Sequence, residues 1–363
     1  MLIWSAILAV LVAGCGERLV DNEAATSSVI AVPDIGFARA GFVRGTLGQQ
    51  LVVQDIYGGY ARLYSAAEPT EPEQAAHWVS APVGPAGVTL ETIHALVDDE
   101  GIYHMAALDR SFADVYYGSG TSQAIAWRNL YPGYDVATAI APIVVDPGGS
   151  IWIFFANQTS ATVEALHLRQ DASVERTVVA YGSATALAGG FDAGGRGYVV
   201  WAGPTAVHVS VRGDAGWQTG VLWQGSADSI DFVAQATVAD IFLSYPRAVW
   251  HDSAHDDLVY AEQVSSSGWQ VQAVDSAGHV GMDPHLLADA NGRSWVVHTD
   301  RNELNLRGSR QGEQTGWYSR VLDSSGATGM WPDLAVDSDG SVRVVYFRAD
   351  NRTIVVRAWG QYD

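Results

Sequence analysis

From about residue 35 onward the apolar positions come in short bursts, and no stretch keeps the 3.6-residue spacing of a long amphipathic helix. Seven segments share one phrase: an apolar stretch, Asp-x-x-Gly, then a strand of alternating apolar residues. One copy runs Pro332-Asp333-Leu334-Ala335-Val336-Asp337-Ser338-Asp339-Gly340, followed by Val342, Val344, Val345 and Tyr346. Another runs Pro284-His285-Leu286-Leu287-Ala288-Asp289-Ala290-Asn291-Gly292, followed by Val296 and Val297. The aspartates fall at Asp55, Asp98, Asp146, Asp192, Asp240, Asp289 and Asp337, at spacings of 43, 48, 46, 48, 49 and 48 residues. A period in that range, with about four short strands per unit, predicts an all-β, seven-bladed β-propeller.

The phrase also predicts the plan of one blade. The run before each aspartate, as in Ile143-Val144-Val145, suits an inner strand buried on both faces. Asp-x-x-Gly makes a structural turn, because a carboxylate can accept backbone N–H bonds and glycine tolerates a positive φ. Six units keep the glycine, as Gly58, Gly101, Gly149, Gly195, Gly292 and Gly340; the Asp240 unit has Leu243 there. An alternating second strand, a third strand and an outer strand opening on Gly-Trp follow, as at Gly216-Trp217, Gly268-Trp269 and Gly316-Trp317. The last unit lacks its outer strand. Counting back from Asp55 places a strand near Ile35 to Arg44, so the N-terminus is expected to close the ring there.

Composition adds a compartment and removes a class of partner. All 20 basic residues are arginine, against 40 acids, for a formal charge of −20. Such a surface repels phosphate backbones, so nucleic acid is not expected as a partner. Leu2 to Val12 is apolar apart from Ser5, too short for a permanent span and suited to a secretory signal. It ends Leu11-Val12-Ala13-Gly14-Cys15, and Cys15 is the chain's single cysteine. Intrachain disulfides are thereby excluded.

Two resemblances follow from these residues. The segment around Cys15 resembles the lipobox of bacterial lipoproteins, which implies a signal peptide over residues 1–14, a lipidated Cys15 and anchoring in the cell envelope, at the outer membrane. Residues 15–34 then form a flexible tether and residues 35–363 the propeller. The repeat itself resembles the BNR-like, or sialidase-like, propellers of bacterial secreted proteins. The Asp-box of sialidases departs from it, since here the aspartate stands three residues before the glycine rather than two.

Candidate chemistry is sparse. His251-Asp252-Ser253-Ala254-His255-Asp256-Asp257 is the densest polar cluster and breaks the repeat pattern. It is either a solvated hairpin tip or a divalent-metal site built from His251, Asp252, His255, Asp256 and Asp257. A sialidase-like hydrolase would need converging arginines, a tyrosine and an acid; Arg62, Arg196, Arg247, Arg293 and Arg343 look equivalent by repeat instead. No other cofactor is expected, and no catalytic residue stands out. The expected function is that of a monomeric, lipid-anchored module binding a protein or glycan. The alternative is a carbohydrate-active enzyme working at the channel mouth, which convergence of polar residues from different blades would favour.

Overall fold

The computed structural model describes residues 28–31, 37–45, 50–67, 77–132, 137–234, 245–265, 268–289, 291–312, 316–336 and 340–359. They form strands joined by turns, and Cys15, Asp240 and Asp337 lie outside them. A first strand, β1 (Ser28–Ala31), precedes the blades. Blade 1 holds β2 (Ala38–Phe42), β3 (Gln50–Asp55), β4 (Ala61–Ala67) and β5 (His77–Val83). Blade 2 holds β6 (Leu90–Val97), β7 (Tyr103–Asp109), β8 (Val115–Thr121) and β9 (Ala124–Tyr131). Blade 3 has an interrupted inner strand, β10 (Ala137–Ile140) and β11 (Val144–Val145), then β12 (Ile151–Asn157), β13 (Thr162–Leu168) and β14 (Val174–Tyr181). The interruption falls at Pro142, which has no N–H to give the ladder. Blade 4 holds β15 (Ala186–Phe191), β16 (Gly197–Ala202), β17 (Ala206–Gly213) and β18 (Gly216–Gln224). Blade 5 holds β19 (Ala227–Val233), β20 (Arg247–Asp252), β21 (Asp257–Gln263) and β22 (Trp269–Asp275). Blade 6 holds β23 (Met282–Ala288), β24 (Ser294–Thr299), β25 (Leu306–Gln311) and β26 (Trp317–Asp323). Blade 7 holds β27 (Met330–Val336), β28 (Val342–Arg348) and β29 (Thr353–Trp359). Every blade is an antiparallel meander, and the fold is the expected seven-bladed propeller.

An N-terminal strand does close the ring, but it is not the one expected. β1 pairs with β29, with Ile30 opposite Ile354, whereas residues 38–42 form the inner strand of blade 1. The closing strand therefore lies inside the segment expected to be a tether. The cause is a register error at Asp55. That residue ends β3, a second strand, in the place of Asp109, Asn157 and Asp252, whereas Asp98 follows an inner strand. The short first spacing of 43 residues was its mark.

The burial pattern also differs from expectation. The second strands, not the inner ones, are buried throughout, as in β12, β16, β20 and β24. Second strands are covered on both faces by neighbouring blades, whereas inner strands turn an edge and alternate side chains to the central channel. Apolar clusters fill each gap between adjacent blades. One joins Leu51, Val53 and Phe42 of blade 1 to Val345, Phe347 and Ile30 at the seam. Outer-strand tryptophans reach the preceding blade: Trp317 lies edge-on to Tyr260 at 4.8 Å, and Trp217 to Phe154 at 6.0 Å.

Asp98, Asp146, Asp192 and Asp289 each tie their turn to the second strand that follows. Asp98 Oδ1 accepts the N–H of Glu100 and Ile102, and Asp289 Oδ1 those of Asn291 and Arg293. The other oxygen meets the residue six positions on: Asp146 accepts from Trp152 Nε1 at 2.9 Å and Asp289 from Trp295 Nε1 at 3.0 Å. Gly292, at φ 75°, supplies the left-handed step of its turn.

Candidate functional site

One mouth of the central channel opens into a cavity of about 370 Å³. Its polar lining comes from five blades: Arg39 and Arg44, Glu91 and His94, Asp228 and Asp231, Asp283 and His285, and Asp333. Trp331 adds an aromatic face, with the Arg39 guanidinium 5.9 Å from its ring centre. Blades 3 and 4 contribute mostly small or apolar groups, among them Ala139, Ile140, Thr185 and Leu187.

Local backbone irregularities aim these groups inward. The pairing of β19, β23 and β27 with the next strand slips between Ala227 and Ile230, Met282 and His285, and Met330 and Asp333. Such bulges re-aim side chains at barrel rims and beside active sites. Blades 6 and 7 repeat a motif here, Gly281-Met282-Asp283-Pro284-His285-Leu286 and Gly329-Met330-Trp331-Pro332-Asp333-Leu334. Asp283 and Trp331 hold φ of 46° and 48°. That is the left-handed region, unusual for any L residue and more so for a bulky one before proline. The glycines are needed as well: a Cβ on Gly329 would stand 2.4 Å from the Leu306 backbone, and one on Gly281 2.9 Å from Leu258 N.

Below the rim, charges form a belt across the seam. Asp333 Oδ2 accepts the Phe42 N–H at 2.7 Å, and its Oδ1 lies 3.1 Å from His285 Nδ1. Asp231 Oδ2 accepts the Leu286 N–H at 2.8 Å and is 3.9 Å from the same imidazole. Burial works against charging His285, but Asp333, Asp231 and Asp283 together raise its pKa above the usual value. Burial would push Asp333 up, yet His285 and the Phe42 N–H hold it below the usual carboxylate range. Asp283 goes the other way: burial raises it, against the pull of Arg39 and His285. His94 is pushed down to about 3 by burial and then by Arg44 and Arg39, so it is neutral.

The sequence-derived candidates are distributed differently. His251 and Asp252 end β20, buried; Asp257 opens β21; His255 and Asp256 form the turn between them. His255 Nδ1 faces Asp252 at 2.8 Å, whereas His251 Nδ1 faces Asp228 at 2.8 Å. Among the described residues no group of three metal-capable side chains converges, so the five are not assembled as one ligand set. Arg62, Arg196, Arg247, Arg293 and Arg343 are absent from the cavity wall. Arg247 instead donates to Glu262 and Arg293 to Asp289. The cavity residues escaped the sequence reading because they stand inside apolar inner-strand runs. Their signal was departure from the repeat: a polar residue on an inner strand where sister blades carry Ala188 or Gly41.

No family profile matches the chain, and no curated sequence matches it. Solved structures do. Selenomethionine-substituted virginiamycin B lyase from Staphylococcus aureus superposes with a TM-score of 0.62, at 8% identity, over 92% of this chain and 99% of that one. A catalytically inactive form of that lyase with quinupristin gives 0.61 at 9% identity over the same shares. A variant of the Aleuria aurantia lectin in complex with Fucα1-6GlcNAc gives 0.52 at 12% identity, over 80% of this chain and 96% of that one. Identities this low establish a shared propeller fold alone.

Proposed function

We propose that this protein is an envelope-anchored recognition propeller that takes a glycan at the channel mouth described above, held to the membrane through lipid on Cys15. The observation that carries the ligand site is the strained presentation of Asp283 and Trp331 by the paired Gly-Met-x-Pro motifs. Backbone held in a sparsely populated region costs on the order of 1–3 kcal/mol and persists where the surroundings over-determine it, as they do at ligand clamps. An aromatic face, an arginine and several carboxylates around a cavity of about 370 Å³ suit a ring with an apolar face and many hydroxyls. Titration calorimetry of the wild type and Trp331→Ala with glucose, glucosamine, N-acetylglucosamine, fucose, glucuronate and their disaccharides tests this. The expected result is binding of at least one sugar, weakened about tenfold or more in the variant. Sugar binding unaffected by Trp331→Ala contradicts the site, and no binding at all contradicts the ligand class.

A second function, acid–base catalysis on a sugar, is favoured by one observation. Asp283 and Asp333 line the same cavity in unlike surroundings: Asp333 accepts the Phe42 N–H and faces His285, which hold it down, whereas burial pushes Asp283 up, and carboxyls set apart in this way can divide into acid and base. Hydrolysis of 4-nitrophenyl glycosides by the wild type, lost in Asp283→Asn, would support it. Equal inactivity of both leaves recognition as the function.

A further inference from the structure

The cluster that the sequence singles out around His251 has a second end in the channel mouth. His251 belongs to β20, behind the inner strand β19, and its side chain is 0% exposed. Its Nδ1 lies 2.8 Å from Asp228 Oδ1, on the cavity wall. Its Nε2 lies 3.3 Å from Asp256 Oδ1, off the line of a good hydrogen bond but with no other polar partner. Asp256, held in a left-handed turn conformation at φ 56°, is gripped by His279 Nδ1, on the link between blades 5 and 6, at 2.6 Å and by Arg301 of blade 6 at 3.2 Å. A neutral imidazole has one N–H and one lone pair. Here a lone pair on either nitrogen would face a carboxylate oxygen in a space closed to water, so the arrangement calls for two N–H groups and a positive ring. A buried charge persists where it is paired, and this one is paired on both sides.

We propose that Asp256–His251–Asp228 is a charge line that runs from the outer turn of blade 5 to the channel mouth, in which His251 is a positioning residue that holds Asp228 as a carboxylate and presents it to a hydroxyl or ammonium group of the ligand. Asp228 Oδ1 is engaged by His251 and, at 3.2 Å, by Ser229 Oγ; beyond the residue's own backbone N–H, no other group among the described residues donates to the carboxylate. The Asp228 side chain is 56% exposed and lines the cavity, so its carboxylate can be reached from the channel while Oδ1 is anchored. Burial would raise the Asp228 pKa, but the His251 contact holds it below the usual range, in agreement with the geometry. The other titratable groups bearing on His251 are Asp283, an inner-strand carboxyl of blade 6, and the neutral His298 on β24. The line gives the hairpin tip a purpose that no metal is needed to supply. It rests on the channel mouth being the ligand site, and it names the group there that takes a donor.

Two measurements on the full chain test it. In the first, long-range ¹⁵N–¹H spectra read the protonation of His251 without any ligand. Both nitrogens are expected to carry protons at pH 7, and Asp256→Asn, with an unchanged melting temperature, is expected to return one of them to the unprotonated form. A neutral His251 in the wild type, or a ring indifferent to Asp256→Asn, overturns the line. In the second, the sugar panel is titrated into His251→Gln, Asp228→Asn and the double variant. Each single change is expected to weaken binding about tenfold and the double change no further, since a positioning residue acts through its partner. Full affinity in His251→Gln, or additive losses, overturns the positioning role. Failure of every sugar to bind the wild type would remove the glycan assignment while leaving the His251 spectrum to decide the charge line.

Discussion

The carboxylate of Asp333 accepts a hydrogen bond from the backbone N–H of Phe42 at 2.7 Å, across 291 residues of sequence and across the seam where the last blade meets the first. The ring is thus latched at its inner rim by a side chain and at its outer edge by β1. Removal of the acceptor leaves a partly buried N–H unpaired, and bonds to charged groups contribute about 1.5–3 kcal/mol. Asp333→Ala is expected to lower unfolding stability by about 2 kcal/mol, and Asp333→Asn by less, as measured by chemical denaturation. The difference should depend on pH. Asp333 is depressed, so its contribution is present above the ordinary carboxylate range and lost as pH falls through its lowered pKa. His285 is raised, so its contribution is complete below about 6.5 and lost as pH rises through its own value. The Asp333→Asn deficit is therefore largest in mildly acidic solution and shrinks on either side.

His298 sets a separate acid sensitivity. Its Nδ1 accepts the Gly281 N–H at 3.1 Å, a bond that requires the nitrogen to be unprotonated, and burial pushes its pKa down to about 3. The native protein refuses a proton that the unfolded chain takes up below 6.5, so stability rises with pH between about 3 and 6.5. Thermal melts across that window should show a steeper slope for wild type than for His298→Gln. Equal slopes would mean that the ring takes up its proton without loss of the Gly281 contact.

The closing strand is short, and Ile30 carries its packing. Ile30 is buried in the seam cluster with Ile354, Val356 and Phe347. Ile30→Ala removes buried methylenes, a change that costs about 2–5 kcal/mol in well-packed cores. A value near 2 kcal/mol is expected at this edge. Deletion through Ala31 should cost more, because it also bares the β29 edge. An unchanged melting temperature in both forms would show that the seam holds without β1.

Anchoring is tested apart from the fold. The wild-type protein expressed in a Gram-negative host should partition into the detergent phase, and Cys15→Ser into the aqueous phase. Identical partitioning removes the lipid anchor.

The fold was legible because its signal is redundant: the Asp-to-Gly turn recurs, and six of its glycines survive. The site was legible only in part, for a related reason. Repeat reasoning explains a residue by its sisters, and His94, Asp231, His285 and Asp333 have none of like chemistry in every blade. They read as imperfections in apolar runs. The sharper clue was positional. Gly281-Met282-Asp283-Pro284 and Gly329-Met330-Trp331-Pro332 occur in only two blades, and in each the residue before proline adopts a conformation that proline disfavours. Nothing in composition distinguishes that strain from an ordinary turn. The His251 cluster drew notice for its density, but its partner Asp228 lies 23 residues earlier, and only the folded blade brings the two together.

The central claim is that the ligand enters the channel mouth, and mapping where a sugar binds tests it most directly. Backbone amide spectra of the protein titrated with the tightest-binding sugar of the panel should shift at residues 281–286, 329–334, 90–94 and 227–231, and at Arg39. Outer-strand residues such as those of β14 and β22 should remain still. Shifts confined to outer strands or hairpin tips, with the mouth silent, would contradict the account.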